Sequence, residues 1–242
     1  MIFRHLINAG LDAALPLRCA ICQSTSSTAI CHGCHADFIH SNSRRCQQCA
    51  LPLNTQTSHS ICGDCIKHQP SYDTTIAATD YQAPCDHLIQ RLKFSSELRL
   101  AHAMAQAIRN CILAAEQKDL PDLLIPVPLG HRRLQERGFN QAFEIGRQLS
   151  KQLGIRIEAD LMIRKKETLA QSTLGPQQRR TNMRNAFLCG DSFRTQIQGL
   201  HIGVIDDVMT TGMTLNAIAK ELKFCGARKV SNFIFARTPK TI

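Results

Sequence analysis

The chain has 242 residues and a mass of 27.0 kDa, enough for one ordinary domain with a small appendage. Its 43% hydrophobic and 20% charged content excludes disordered, collagenous and coiled-coil classes. No uninterrupted apolar run approaches the ~18–20 residues a membrane-spanning helix needs. The net charge is +10, and between His131 and Arg184 twelve Lys or Arg stand against five Asp or Glu. A basic stretch of that kind suits phosphates of a small ligand or a nucleic-acid backbone.

The first 17 residues read as a short amphipathic helix. Asn8 and Asp12 interrupt the apolar stretch and no small-residue cleavage site follows, so a secretory signal is not expected. Next comes a cysteine-rich segment. Of twelve cysteines, eight form four Cys-x-x-Cys pairs: Cys19/Cys22, Cys31/Cys34, Cys46/Cys49 and Cys62/Cys65. Regular pairing points to metal binding in a reducing cytoplasm rather than to a disulfide scaffold. Each pair can turn as a knuckle, and two knuckles fill the four positions of a tetrahedral zinc ion. Up to two structural zinc ions are expected, with no coordination position left open for chemistry.

Spacing makes sequential pairing of the knuckles the simplest, Cys19, Cys22, Cys31 and Cys34 for one site and Cys46, Cys49, Cys62 and Cys65 for the other, and leaves a crossed arrangement open. His32, His35 and His59 stand close enough to substitute as ligands, and four thiolates also suit an iron–sulfur cluster. Two four-thiolate zinc sites would each contribute −2, bringing the net charge to about +6. Composition shifts near residue 70, which divides a metal-organised segment, 1–70, from a core-forming domain, 71–242.

After that boundary, apolar residues recurring at three or four predict helices over 86–94, 97–115, 140–153 and 214–225. Short apolar runs predict buried strands over 123–127, 201–205 and 230–235. The alternation implies an α/β fold, a mostly parallel sheet with helices on its faces. Residues 165–185 are polar and basic and carry Gly175-Pro176, so a long loop is expected there.

The most informative run is 201–215, HIGVIDDVMTTGMTL. An apolar strand ends in Asp206 and Asp207, a small polar loop follows, and a helix opens near Thr214. Such a junction suits a sugar phosphate. Backbone N–H groups of Met209 to Met213 can wrap a phosphate, Gly212 allows close approach, and Thr210, Thr211 and Thr214 add hydroxyl donors. The two carboxylates can accept hydrogen bonds from ribose hydroxyls, or act on them through magnesium. A second run, 125–141, leaves a buried strand and enters a basic turn, where Arg132, Arg133 and Arg137 would face anions.

These residues carry a resemblance. Run 201–215 resembles the phosphoribosyl pyrophosphate (PRPP) motif of type I phosphoribosyltransferases. That likeness implies that Asp206 and Asp207 hold the ribose and that Val208 to Thr214, including Met209, Thr210, Thr211, Gly212 and Met213, cradle the 5′-phosphate. It also implies that the loop after the strand near residue 125 binds pyrophosphate. Many purine-salvage members place an Asp where this chain has Thr210, which argues against purine salvage.

The four Cys-x-x-Cys pairs, Leu92-Lys93-Phe94, Pro126 to Leu129, Arg137 to Gln141, Gln177 to Asn182, Ala186-Phe187 and the Asp-Asp loop together resemble the ComF family over nearly the full length. Its members include ComFC-like and GntX-like proteins. The resemblance implies a type I phosphoribosyltransferase fold (Rossmann-like) behind a zinc-ribbon module, a cytoplasmic location, and a role in natural transformation. The implied partners are PRPP with magnesium, single-stranded DNA and the DNA-uptake machinery at the inner membrane. An active phosphoribosyltransferase is the alternative, with Asp206, Asp207 and Arg132 as candidate catalytic residues. Arg133, Arg137 and Lys93 are further candidate PRPP contacts, and the loop around Arg179, Arg180 and Asn182 is a candidate lid.

Overall fold

The computed structural model describes residues 17–39, 44–53, 59–115, 119–165 and 186–240. The expected N-terminal helix and nearly all of the expected loop, with Arg179, Arg180 and Asn182, lie outside them.

Two short helices belong to the cysteine segment: α1 (His32–Phe38) and α2 (Gly63–Lys67). The rest runs β1 (Thr74–Asp80), α3 (Cys85–Ser95), α4 (Arg99–Ala114), β2 (Leu123–Pro126), α5 (His131–Arg137), α6 (Gln141–Leu153), β3 (Met162–Arg164), β4 (Phe187–Cys189), β5 (His201–Met209), α7 (Met213–Phe224) and β6 (Lys229–Arg237). Four strands form one parallel sheet in the order β1-β6-β5-β2, and β3 and β4 form a separate antiparallel ribbon. The α/β architecture expected from the alternating pattern is therefore present.

Helix α4 buries Leu100, Met104, Ala105, Ile108 and Ile112, and α6 buries Ala142, Ile145 and Leu149, each set at helical spacing. The two helices pack on each other and together cover one face of the sheet, while α7 covers the other with β4. Each face has its own apolar cluster. Cys19, Ala20, Ile30, Cys34 and Ile39 join the cluster of α3, α4 and α6, whereas Cys46, Cys49, Ala50, Leu51 and Cys65 join that of α7. The cysteine segment thus packs against both faces of the sheet.

Strand β5 differs from expectation. It continues through Asp206 and Asp207 to Met209, because its parallel ladder with β6 runs on to the pair Met209 and Arg237. The paired acids are consequently part of a strand end. Strand β1, with Thr74, Thr75 and two alanines around Ile76, gave no apolar run to read, and it forms because β6 supplies its hydrogen-bond partners.

Candidate functional site

The cysteine clusters follow sequential pairing. Sγ atoms of Cys19, Cys22, Cys31 and Cys34 all lie within 4.8 Å of one another, as do those of Cys46, Cys49, Cys62 and Cys65. A tetrahedral ion with Zn–S bonds of about 2.3 Å requires sulfurs about 3.8 Å apart. The Cys22–Cys31 and Cys49–Cys62 separations are 3.7 and 3.6 Å. Neither group includes His32, His35 or His59. Both ribbons repeat the same local devices. The N–H of Cys31 donates to Cys19 Sγ at 3.3 Å, and that of Cys62 donates to Cys46 Sγ at 3.2 Å. The residue after each first knuckle, Gln23 or Ala50, has φ of 63° or 57° and donates its N–H to the carbonyl of Cys19 or Cys46. Donors aimed at sulfur stabilise thiolates, and a full shell of four sulfurs makes these structural zinc sites.

The second centre is a cavity of about 280 Å³ at the C-terminal end of β5. Loop Thr210–Gly212 forms one wall. Gly212 has φ of 79°, and a Cβ there would lie 2.5 Å from Met209 Cε and 3.1 Å from Tyr72 Oη, so only glycine fits this turn. Helix α7 starts immediately afterwards, at Met213, and Thr211 Oγ1 accepts the Met213 N–H at 3.4 Å. Met213, Thr214 and Leu215 of its first turn line the cavity, and a helix N-terminus at that place suits an anion.

The opposite wall comes from the chain after β2. Asn140 caps α6, accepting N–H groups from Ala142 and Phe143, while its Nδ2 donates to the carbonyl of Val127 at 3.0 Å. That clasp returns the helix to the strand end and presents α5 between them. Gly138, with φ of 76°, closes α5. Arg133 and Arg137 line the cavity, whereas Arg132 pairs with Glu136 at 2.8 Å on an exposed face and is not among the lining residues.

Helix α3 delivers Lys93, whose ammonium forms an ion pair with Asp207. The Asp207 side chain is 4% exposed, and its Oδ1 also accepts from Gln141 Nε2 at 3.3 Å. Arg137 donates to Gln141 Oε1 at 3.0 Å and lies 5.4 Å from the centre of the Phe94 ring. A continuous polar chain thus runs from Phe94 through Arg137 and Gln141 to Asp207 and Lys93. Burial and the Asp207 carboxylate push Asp206 well above the usual carboxylate range. Burial acts in the same direction on Asp207, but the Lys93 charge and hydrogen bonds outweigh it and hold that carboxyl below its usual value. Two neighbouring acids with pKa values driven apart are what burial of a like-charged pair produces.

Of the expected ligand contacts, Lys93, Arg133, Arg137 and residues 206–214 all meet at this cavity. Tyr81, Gln141 and Arg164 line it too, and sequence reasoning assigned them no role. Arg164, 5.6 Å from the centre of the Phe187 ring, arrives on the β3–β4 ribbon, a tertiary contact with no local signature.

Comparison with known proteins places these features in a family. Residues 10–66 match the double zinc ribbon domain. "Competence protein F" of Haemophilus influenzae is 33% identical over 226 residues, covering 91% of this chain and 96% of that protein. "DNA utilization protein YhgH" of Escherichia coli K12 is 34% identical, covering 80% and 84%. "Competence protein ComFC" of Bacillus subtilis is 26% identical, covering 86% and 84%. Among solved structures, a purine phosphoribosyltransferase from Pyrococcus horikoshii is 19% identical with a TM-score of 0.31, covering 69% of this chain and 82% of that one. That overlap is loose, and the sheet order above stands without it. A third of the residues shared across nearly the whole of two bacterial proteins, with the double ribbon in place, means that the chain belongs to the ComF family.

Proposed function

We propose that this protein binds PRPP with magnesium in the β5 cavity and acts in natural transformation, in the cytoplasm, on incoming single-stranded DNA. The observation that carries the reading is the convergence of Asp206, Asp207, Lys93, Arg133, Arg137 and the Thr210–Gly212 loop on one cavity. A sugar bearing phosphate at one end and pyrophosphate at the other needs hydroxyl acceptors between two anion sites. Here the acids, the loop and two α5 arginines, Arg133 and Arg137, line the same cavity. Asp206 and Asp207 would hold the ribose hydroxyls, directly or through the magnesium that accompanies PRPP. Carboxylates with substrate oxygens are the donor set that ion favours. The ion would supply charge neutralisation at the pyrophosphate, and the N–H groups that begin α7 would hold the 5′-phosphate.

The DNA role rests on the names of the relatives, competence and DNA utilization proteins, and on the surplus of cations over 131–184. With aromatic residues at only 5% and no Trp, the grip on a strand is mainly electrostatic and salt-sensitive. The DNA-uptake machinery at the inner membrane is the expected protein partner. Among the described residues no helix is long and apolar enough to cross a membrane.

Turnover is the second reading, favoured by acids and cations meeting at one site. Displacement of pyrophosphate from the anomeric carbon chiefly needs positioning and charge stabilisation. The two readings part in one experiment that follows oligonucleotide binding and pyrophosphate release with wild-type protein and with Asp206→Asn/Asp207→Asn. A DNA-handling protein keeps its oligonucleotide affinity in the double variant. That affinity should fall steeply with salt, and salt-independent binding would refute the electrostatic reading. Pyrophosphate release by wild type and not by the variant establishes the transferase instead.

A further inference from the structure

The phosphate loop is held from behind, and the holder is the second zinc ribbon. Arg237 ends β6 with 4% of its surface exposed. Its Nε donates to the carbonyl of Cys49 at 2.8 Å. Its Nη1 donates to the carbonyls of Met209 at 2.8 Å and Thr238 at 2.9 Å, and also to that of Thr210. One guanidinium therefore ties a zinc-ligand knuckle to the two residues that begin the loop. A second tie runs in parallel. Gln48, inside the same knuckle, donates to the Tyr72 carbonyl at 3.4 Å, and the buried Tyr72 side chain abuts Gly212.

The first ribbon is attached elsewhere. Arg91 donates to the Ala20 carbonyl at 2.6 Å and Arg99 to that of Arg18 at 3.3 Å, both from the α3–α4 region on the other face. Sequence repetition thus conceals a division of labour between two ribbons of equal local geometry.

We infer that Arg237 is a positioning residue through which the second zinc site fixes the phosphate loop in its ligand-ready shape, the first site having no such link among the described residues. The inference rests on the PRPP reading of the cavity for its functional meaning. Arginine suits the task because its rigid fork serves several carbonyls at once, which a single ammonium on a flexible stem does not. Its charge meets carbonyl oxygens and, among the described residues, no carboxylate, so it also places a buried positive charge behind an anion-binding loop.

The test follows amide hydrogen exchange at 209–214 and magnesium–PRPP affinity in zinc-loaded wild type, Arg237→Lys, Cys62→Ser and, as control, Arg91→Met. Arg237→Lys should exchange at least tenfold faster at 209–214 and bind PRPP at least tenfold more weakly, with α4 amides unchanged and both zinc ions kept. Cys62→Ser should speed the same loop amides while keeping the first zinc. Arg91→Met should leave loop exchange and affinity within twofold of wild type. Unchanged loop exchange in either Arg237→Lys or Cys62→Ser overturns the inference, as does equal loosening in Arg91→Met or a uniform rise across α4. If wild type binds no PRPP, the cavity reading fails, and the exchange comparison still decides whether the ribbon holds the loop.

Discussion

Replacing Lys93 with Met keeps the aliphatic stem and removes the ammonium that faces Asp207. The Asp207 side chain is 4% exposed and that of Lys93 20%, so the variant strands a carboxylate away from water. Breaking a buried pair from one side costs about 3–5 kcal/mol. A ceiling applies, because Asp207 can take up a proton instead. Raising it from an unfolded pKa of about 3.9 to pH 7 costs about 3 units at about 1.36 kcal/mol each, or roughly 4 kcal/mol. The expected loss at pH 7 is therefore about 3–4 kcal/mol.

At pH 5.5 the same ceiling falls to about 2 kcal/mol, since less work is needed to protonate the group. The sign follows from the native environment. In the wild type Asp207 is held below its usual value, so its contribution is present above the unfolded pKa and lost only as pH falls through the lower folded one. Without Lys93 the deficit is greatest near neutrality and shrinks with acidification. Urea unfolding of both proteins at pH 7 and 5.5, with zinc saturating, measures it. Equal deficits at the two pH values, or one below about 1 kcal/mol at pH 7, would refute the electrostatic picture of the site.

Asp206→Asn should act in the opposite sense on stability. Burial and Asp207 raise the Asp206 pKa, so the wild type loses stability as pH rises through that folded value and the amide does not. The variant should melt no lower than wild type at pH 8, with an advantage that grows as pH rises above the unfolded carboxylate value of about 3.9, while losing PRPP affinity by at least tenfold; a lower melting point at pH 8 contradicts this. Cys46→Ser, at a fully buried ligand, should reduce bound zinc from two ions to one and lower the melting temperature by several degrees. Retention of both ions, measured by elemental analysis, would contradict the assigned ligand set.

Much of this architecture was legible because its signals are local. Helices α4 and α6 repeat apolar residues on one face, and four Cys-x-x-Cys pairs declare two metal sites. The loop with Asp206, Asp207 and Gly212 is likewise contiguous in the chain. What escaped depends on distant partners. Arg237 looks like an unremarkable residue after an apolar run, yet it joins Cys49 to Met209. Gln141 lies within a run that sequence reading singled out, but its place between Arg137 and Asp207 exists only once α6 docks beside β5. The alternative pairing of knuckles could not be decided by spacing either, because both arrangements use the same turns. It was decided by which sulfurs the packing brings within 4.8 Å.

The central claim is that the β5 cavity takes PRPP through its acids and phosphate loop. Calorimetric titration of magnesium–PRPP into zinc-loaded protein tests it most directly, with Asp206→Asn/Asp207→Asn titrated beside it and the series repeated in the presence of a single-stranded oligonucleotide. One saturable site, absent from the double variant, is the predicted result. No heat with wild type, or the same binding curve in both proteins, would contradict it.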